Sequence, residues 1–319
     1  MANIIAGCGS YLPKRVITNS EMVQILDGTT TEEWIFSRTG ITQRHVVAEG
    51  EYTSHMAAHA SLRAIEDAGI DKSDIDLVIL CTTTPDSTFP SSSAKLQANL
   101  GLLGIPSFDI QAVCSGFVYG IHIADCMMSA AGYKTALIVG AETMSSILDW
   151  KDRSTSILFG DGAGAVILKK STSESGIIGS IIHSDGTLGD ILYTNGGTAS
   201  TGRSGVVHMN GREVFRHATQ KLCDISLEIL TKYGIKANNI DYFVPHQANV
   251  RIIDHVAEKL GIEESKIIKT VDKHANCSAA SVPLALSDLK KSGRLKKGDI
   301  ILTAAIGAGI TWGANLLRW

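Results

Sequence analysis

Asp109-Ile110-Gln111-Ala112-Val113-Cys114-Ser115-Gly116-Phe117 joins two apolar segments of different kind. Upstream, Ser107 to Val113 reads as a short buried strand. Downstream, Ser115 to Ala131 is apolar all round, through Val118, Ile121, Ile123, Ala124, Met127 and Met128, and predicts a buried helix. Cys114 falls at the junction, at a helix N-terminus. Unpaired N–H groups and the helix dipole there favour negative charge, so the position predicts a thiol of lowered pKa, a nucleophile. Gly116 lets a substrate or another backbone segment come close. A small buried hydrophobe is the other reading of Cys114.

Working outward, 319 residues are enough for one large core or two ordinary domains. Apolar residues make up 44% and charged ones 19%, which is globular composition and excludes a disordered chain. A net charge of −3 gives no global basic footprint for nucleic acid, so an acidic partner must dock on a local patch. Six cysteines without framework spacing predict free thiols in a reducing compartment, hence a cytoplasmic protein. The opening Met1 to Gly7 reads as a first strand and not as a signal peptide. Ile300 to Leu317 is apolar, yet Gly307, Gly309, Gly313, Thr303, Thr311 and Asn315 predict two buried strands joined by a glycine turn, with no membrane span.

Along the chain, Thr31 reads as the cap of a helix with acids in its first turn. Thr53 to Ala68 reads as a helix closed by Gly69. His55 and His59 stand one turn apart on it, but no third ligand is evident, and no metal site is expected. Buried strands are predicted over Ile75 to Thr83, Lys134 to Gly140, Ile177 to His183 and Ile240 to Val244. Phe159-Gly160-Asp161-Gly162-Ala163-Gly164-Ala165 lacks dinucleotide-loop spacing and runs into a strand, so its glycines serve a tight turn or close packing. Gly186 to Gly205 reads as loop. Helices follow at Asn210 to Tyr233 and Val250 to Leu260.

The chain repeats itself. Gly69-Ile70 and Ile75-Asp76 recur as Gly234-Ile235 and Ile240-Asp241, an offset of 165 residues; Leu100-Gly101 recurs as Leu260-Gly261, an offset of 160. Each half runs helix, Gly, strand, helix, Leu-Gly, short strand, small-residue helix, strand. The simplest account is a duplicated α/β unit with pseudo-twofold packing, divided as 1–172 and 173–319. Cys114, His246 and Asn276 then fall at strand ends or helix starts, where open α/β sheets place their chemistry.

Asp109 to Gly116, Pro245-His246-Gln247-Ala248-Asn249 and Asn276-Cys277-Ser278-Ala279-Ala280-Ser281 together resemble β-ketoacyl–acyl carrier protein synthase III. This is the priming condensing enzyme of bacterial fatty acid synthesis. Gly7 to Pro13, Trp34 to Ile41, Phe159 to Ala165 and Thr311-Trp312-Gly313 are similar to the same family. The resemblance implies a thiolase-like fold, a five-layered α-β-α-β-α body. It also implies a decarboxylative Claisen condensation of an acyl-CoA with malonyl–acyl carrier protein. Cys114 would hold the acyl group, and the N–H groups of Cys114 and Ala308 would stabilise the oxyanion. His246 and Asn276 would each offer an N–H to the enolate left by loss of CO2. Neither a metal nor a redox cofactor is implied.

For binding, the resemblance implies that Trp34 and Arg153 flank the CoA adenine, with Arg38 as a phosphate partner and Asn249 and Gly211 along the pantetheine arm. It implies a homodimer in which Phe89 of one protomer borders the acyl pocket of its partner. Arg251, His255 and Lys259 fall on successive turns of one helix face, and with Arg216 they are the candidate dock for the acidic carrier protein. Three departures stand out. Ala308 and Ala275 occupy places where the family has glycine, and Glu258 one where it often has Lys. A secondary-metabolite synthase of the polyketide or quinolone type, or an acyl-thioester hydrolase or acyl-binding protein on the same scaffold, stays open as an alternative.

Overall fold

The computed structural model describes residues 2–319. The first of its two main sheets runs, in order across the sheet, Ala2–Tyr11, Gly162–Ser171, Thr135–Glu142, Leu77–Cys81 and Ser107–Ile110. The second runs Tyr242–Pro245, Ile300–Gly307, Thr311–Arg318 and Gly176–Ser184. The chain passes from the first sheet to the second between Ser171 and Gly176.

Strand alternation sorts the side chains into five layers. Leu77, Ile79 and Cys81 point to a central layer made by the helices Gly116–Ala131 and Ser281–Lys291, which Val244, Ile301 and Ala305 of the second sheet meet from the other side. Val78 and Leu80 point outward to the helices Thr53–Ala68 and Ser92–Leu100. Phe243, Leu302 and Leu316 point outward to Gly211–Lys232 and Val250–Leu260. The body is therefore α-β-α-β-α. The central position also explains why the segment after Cys114 is apolar all round. Val113–Ala131 is long and apolar enough to cross a membrane by length and composition alone, and here it lies between two sheets.

The offset read from the sequence is a structural one. The strands Leu77–Cys81 and Thr135–Glu142 are followed 165 residues later by Tyr242–Pro245 and Ile300–Gly307, each pair parallel. The tight turn Val113–Ser115 leading into the first central helix is followed, at the same offset, by Ser278–Ala280 leading into the second. Both turns open on a non-glycine residue with positive φ, +48° at Val113 and at Ser278.

Three expectations need correction. The strand before Cys114 ends at Ile110 and is only half-buried, because Ala112 already begins the turn. The short strand expected in the second half is reduced to one bridge, Ile267 against Phe243, and a single helical turn, Val271–His274, stands before Asn276. The stretch 186–205 is not plain loop: it carries a 3₁₀ segment, Gly186–Ile191, and the strand Leu192–Thr194, which pairs with Val207–Met209. Close packing does explain Gly164, where a Cβ would stand 2.7 Å from the backbone N of Leu284.

Candidate active site

The turn carrying Cys114 is held from the opposite half. Thr311 donates from Oγ1 to the Ala112 carbonyl at 2.8 Å, and Ser115 Oγ lies 2.7 Å from both. Gly307 packs so closely that a Cβ there would meet the Cys114 N at 2.8 Å. Cys114 is buried, and burial pushes its thiol up to about 12. The Ser278 side chain and the Cys114 N–H oppose that rise, and the charge of Glu142 adds to it. This corrects the lowered pKa expected from the helix terminus: desolvation outweighs the backbone dipoles, and the resting sulfur is a thiol.

His246 follows the strand Tyr242–Pro245 and extends its ladder, donating from N to the Ala304 carbonyl at 2.8 Å. Gln247 fixes the loop beyond, with Oε1 accepting from the N–H groups of Thr270 and Val271 and Nε2 donating to the carbonyls of Pro245 and Ile268. Burial pushes the His246 imidazole down to about 3, and its Nδ1 is buried without a partner. The ring is neutral at any ordinary pH.

Asn276 is clamped by its backbone, donating to the Leu158 carbonyl and accepting from the Gly160 N–H. Its Oδ1 accepts the Ser278 N–H at 2.8 Å. That bond assigns the amide orientation and leaves Nδ2, a pure donor, without a partner among the described residues. The preceding Ala275 has φ +58°, a conformation that favours glycine, so one departure noted in the sequence is a strained residue beside Asn276. At the other departure the positive φ falls on Gly309 and not on Ala308.

Cys114, His246 and Asn276 line one cavity of about 460 Å³. Its outer wall includes Trp34, Arg38, Arg153, Gly211, Asn249 and Arg251. Thr31 caps the helix bearing Trp34, accepting from the Trp34 N–H at 3.1 Å. The Arg153 guanidinium lies over the Trp34 ring, 4.5 Å from its centroid, so a base enters between them only if Arg153 moves aside. Asn249 caps its own helix and donates to the Arg38 carbonyl. A second cavity, about 260 Å³, shares Cys114, Phe159 and Leu192 with the first and is lined further by Met144, Ile147, Val207 and Ala308 and by the polar Thr83, Gln111 and Thr194. The sulfur thus stands where the two cavities meet.

Phe89 is not brought to either cavity within one chain; it is 84% exposed. The basic strip is partly engaged. Arg216 is paired with Glu213 at 2.5 Å, Arg251 lies over the Phe215 ring, Lys269 takes up Asp254, and Lys259 is exposed beside Glu258. His55 and His59 make local contacts, with Tyr52 and Tyr11. Among the described residues no three His, Cys, Asp or Glu side chains are grouped to hold a metal ion. Sequence reasoning missed Arg212 and Phe215 on the cavity wall and, most of all, Glu142 beneath it. The signal for Glu142 was a lone acid ending an otherwise apolar strand.

A buried thiol that can take up an acyl group, facing two neutral N–H donors across a duplicated five-layered body, belongs to the thiolase-like acyltransferases. Comparison narrows the class. Models of 3-oxoacyl-[acyl-carrier-protein] synthase III and of its C-terminal region match residues 108–186 and 230–319. The chain is 58% identical over 315 residues to β-ketoacyl-[acyl-carrier-protein] synthase III of Rickettsia canadensis, covering 99% of each. The 3-oxoacyl-[acyl-carrier-protein] synthase III structure from Aquifex aeolicus superposes with a TM-score of 0.95 at 42% identity, covering 99% of this chain and 100% of that one. That from Pseudomonas aeruginosa gives 0.94 at 37%, covering 100% and 98%. The chain belongs to the β-ketoacyl–acyl carrier protein synthase III family and is a condensing acyltransferase.

Proposed function

We propose that this chain opens fatty acid synthesis by condensing an acyl-CoA with malonyl–acyl carrier protein, through an acyl group held on Cys114. One observation carries the assignment of roles: Cys114, His246 and Asn276 come from three separate segments and line one cavity. Full-length similarity to priming synthases favours this reaction over the secondary-metabolite, hydrolase and acyl-binding alternatives.

In the first half-reaction the acyl chain occupies the smaller cavity, against Met144, Ile147, Leu192 and Val207, and the CoA arm the larger one. The sulfur attacks the thioester carbonyl, and the N–H groups of Cys114 and Ala308 receive the oxyanion. CoA departs. In the second, a malonyl thioester in the same cavity loses CO2, and its enolate oxygen takes hydrogen bonds from His246 and from Asn276 Nδ2. Both donors are neutral, so neither changes charge across the working pH range. The enolate carbon then attacks the acyl-Cys114 carbonyl. Acyl transfer and decarboxylation of a β-keto carboxylate require neither a metal nor a redox cofactor.

The same proposal includes a cytoplasmic homodimer. The exposed Phe89 is the residue a partner's acyl pocket would receive, and all six cysteines are free. Arg251, on the outer wall of the larger cavity, and Lys259 are the available cations for the carrier protein, whereas Arg216 is already paired. The test is intact-protein mass spectrometry after incubation with a panel of acyl-CoAs, followed by malonyl–acyl carrier protein. An acyl mass on the wild type, absent from Cys114→Ala, and a carbon–carbon bond in the product are expected. Free acid as the sole product would refute condensation.

A further inference from the structure

Arg44 is fully buried, on the strand Gln43–Val46 that pairs antiparallel with Arg15–Thr18 in a two-stranded ribbon. Among the described residues no carboxylate pairs with it. Its Nη1 donates to Asn19 Oδ1 at 3.0 Å and to the Ile17 carbonyl at 3.3 Å, and its Nη2 donates to the Ile157 carbonyl at 2.8 Å. Nε is buried without a partner. A guanidinium keeps its charge in a protein interior, and desolvating it against neutral acceptors alone is costly. A methionine would fill similar space at lower cost, so packing does not account for an arginine here. What an arginine adds is a planar fork that fixes several directions at once.

Those directions join the ribbon to the segment beside Asn276. Asn276 donates from N to the Leu158 carbonyl at 2.9 Å and accepts the Gly160 N–H at 3.1 Å, so Phe159 and Asn276 form a bridge. Arg44 holds Ile157, just upstream of that bridge. His45 and Val47 hold Asp161, just downstream: the His45 carbonyl accepts the Asp161 N–H at 2.8 Å, and the Val47 N–H donates to Asp161 Oδ2 at 2.9 Å. Thr42 and Gln43 donate to the carbonyls of Asp272 and Lys273, in the turn that leads into Asn276. The stretch 42–47 of the first half thus grips the Asn276 loop of the second on both sides. The packing is close: a Cβ on Gly160 would stand 3.0 Å from the His274 carbonyl oxygen and 3.1 Å from Arg44 Cβ.

We propose that Arg44 is a positioning residue for the condensation step: its fork ties Ile157 to Ile17 and Asn19, and so sets the segment against which Asn276, and with it the Nδ2 donor, is aligned. This rests on Asn276 supporting the enolate. Arg44 lines neither cavity, so it acts through other residues. Without the fork Ile157 is released, and Leu158 and Gly160 carry the movement to Asn276 through their backbone hydrogen bonds. The turn bearing Cys114 is held separately, by Thr311 and by the close approach of Gly307. Loss of Arg44 therefore falls on decarboxylation and not on attack by the sulfur. Ile157 also closes the short helix Arg153–Ser156, so the wall at Trp34 and Arg153 shifts with it. An acyl donor without adenine, acyl-pantetheine, keeps that second effect out of the measurement.

Arg44→Met and Asn276→Ala, singly and combined, test this. Acylation is read as intact mass after acyl-pantetheine treatment, and decarboxylation as CO2 released from malonyl–acyl carrier protein. Arg44→Met should lower kcat for decarboxylation by about 100-fold with KM little changed, and should acylate within about 3-fold of wild type. In the Asn276→Ala background the same substitution should cost nothing more, because its effect passes through a side chain already removed. A residue that only stabilises the fold predicts both half-reactions reduced alike, and a loss that multiplies with that of Asn276→Ala; either result overturns the proposal. Asn276→Ala decarboxylating as fast as wild type would sink the enolate-donor reading itself, and the role of Arg44 with it. If Arg44→Met does not fold, Arg44→Lys decides. It keeps the charge but lacks the fork, and should show the same selective loss at about 10-fold. Decarboxylation at the wild-type rate in Arg44→Lys overturns the role of the fork.

Discussion

His246 should make the fold acid-sensitive by an amount that one substitution can isolate. Burial holds the imidazole at about 3 in the native state, against 6.5 for an ordinary histidine. A base with a depressed native pKa contributes stability that is present above its unfolded pKa and lost as pH falls toward its folded one. The window is therefore pH 6.5 down to about 3. At about pH 5 the unfolded chain has bound a proton that the native site refuses, and the penalty is ~2 kcal/mol. His246→Gln keeps a neutral polar side chain and removes the titration. Urea unfolding at about pH 7.5 and about pH 5 measures both proteins; wild type should lose ~2 kcal/mol more than the variant between the two conditions. His274, pushed down to about 4 mainly by burial, makes a similar demand but is present in both proteins and cancels. Glu142 and Asp161, raised to about 7 and about 6 by burial, favour the fold as pH falls, and they cancel too. Equal losses in the two proteins would mean that the imidazole is charged or solvated in the native state, and the neutral-donor role would fall with it.

Asn276→Asp replaces the one non-titrating donor with an acceptor facing the enolate, so decarboxylation should fall more than about 100-fold while acyl-Cys114 still forms, as single-turnover mass spectrometry would reveal. Trp34→Ala should raise KM for acyl-CoA about 10-fold through lost base stacking and leave KM for the corresponding acyl-pantetheine, which has no adenine, unchanged. An equal rise for both would make Trp34 a packing residue only. Gly140→Ala would place a Cβ 2.3 Å from the Ala279 carbonyl oxygen, beneath the turn that carries Ser278. Overpacking at backbone cannot be relieved by a rotamer change, so a loss of roughly 3 kcal/mol or more, or failure to fold, is expected in thermal unfolding.

The layers were legible because buried strands and amphipathic helices write their periods into the chain. Val250–Leu260 and Thr53–Ala68 end at glycines that adopt the left-handed conformation, and their limits match the reading residue for residue. The acidity of Cys114 was not legible. A sequence locates a helix N-terminus but not the two sheets that close over it, and desolvation decides the sign. Glu142 was missed for a related reason. Its partners Thr82, Thr83, Thr84 and Ser278 lie some 60 and 136 residues away, and only folding gathers them.

Duplication supplies the link between what was read and what was not. Each half contributes the same strained turn ahead of a central helix, and the two turns face each other across the middle of the molecule. One backbone geometry is thus used twice with different side chains, a thiol in the first turn and a hydroxyl, with a carboxamide just before it, in the second. On that view the active site needs both strained turns intact. Displacing the Ser278 N–H should then cost the condensation step, because that N–H orients Asn276. Ser278→Gly keeps the N–H and the turn and removes only the hydroxyl. It should therefore leave decarboxylation of malonyl–acyl carrier protein near wild type, and a large loss would refute the assignment of that support to the backbone N–H.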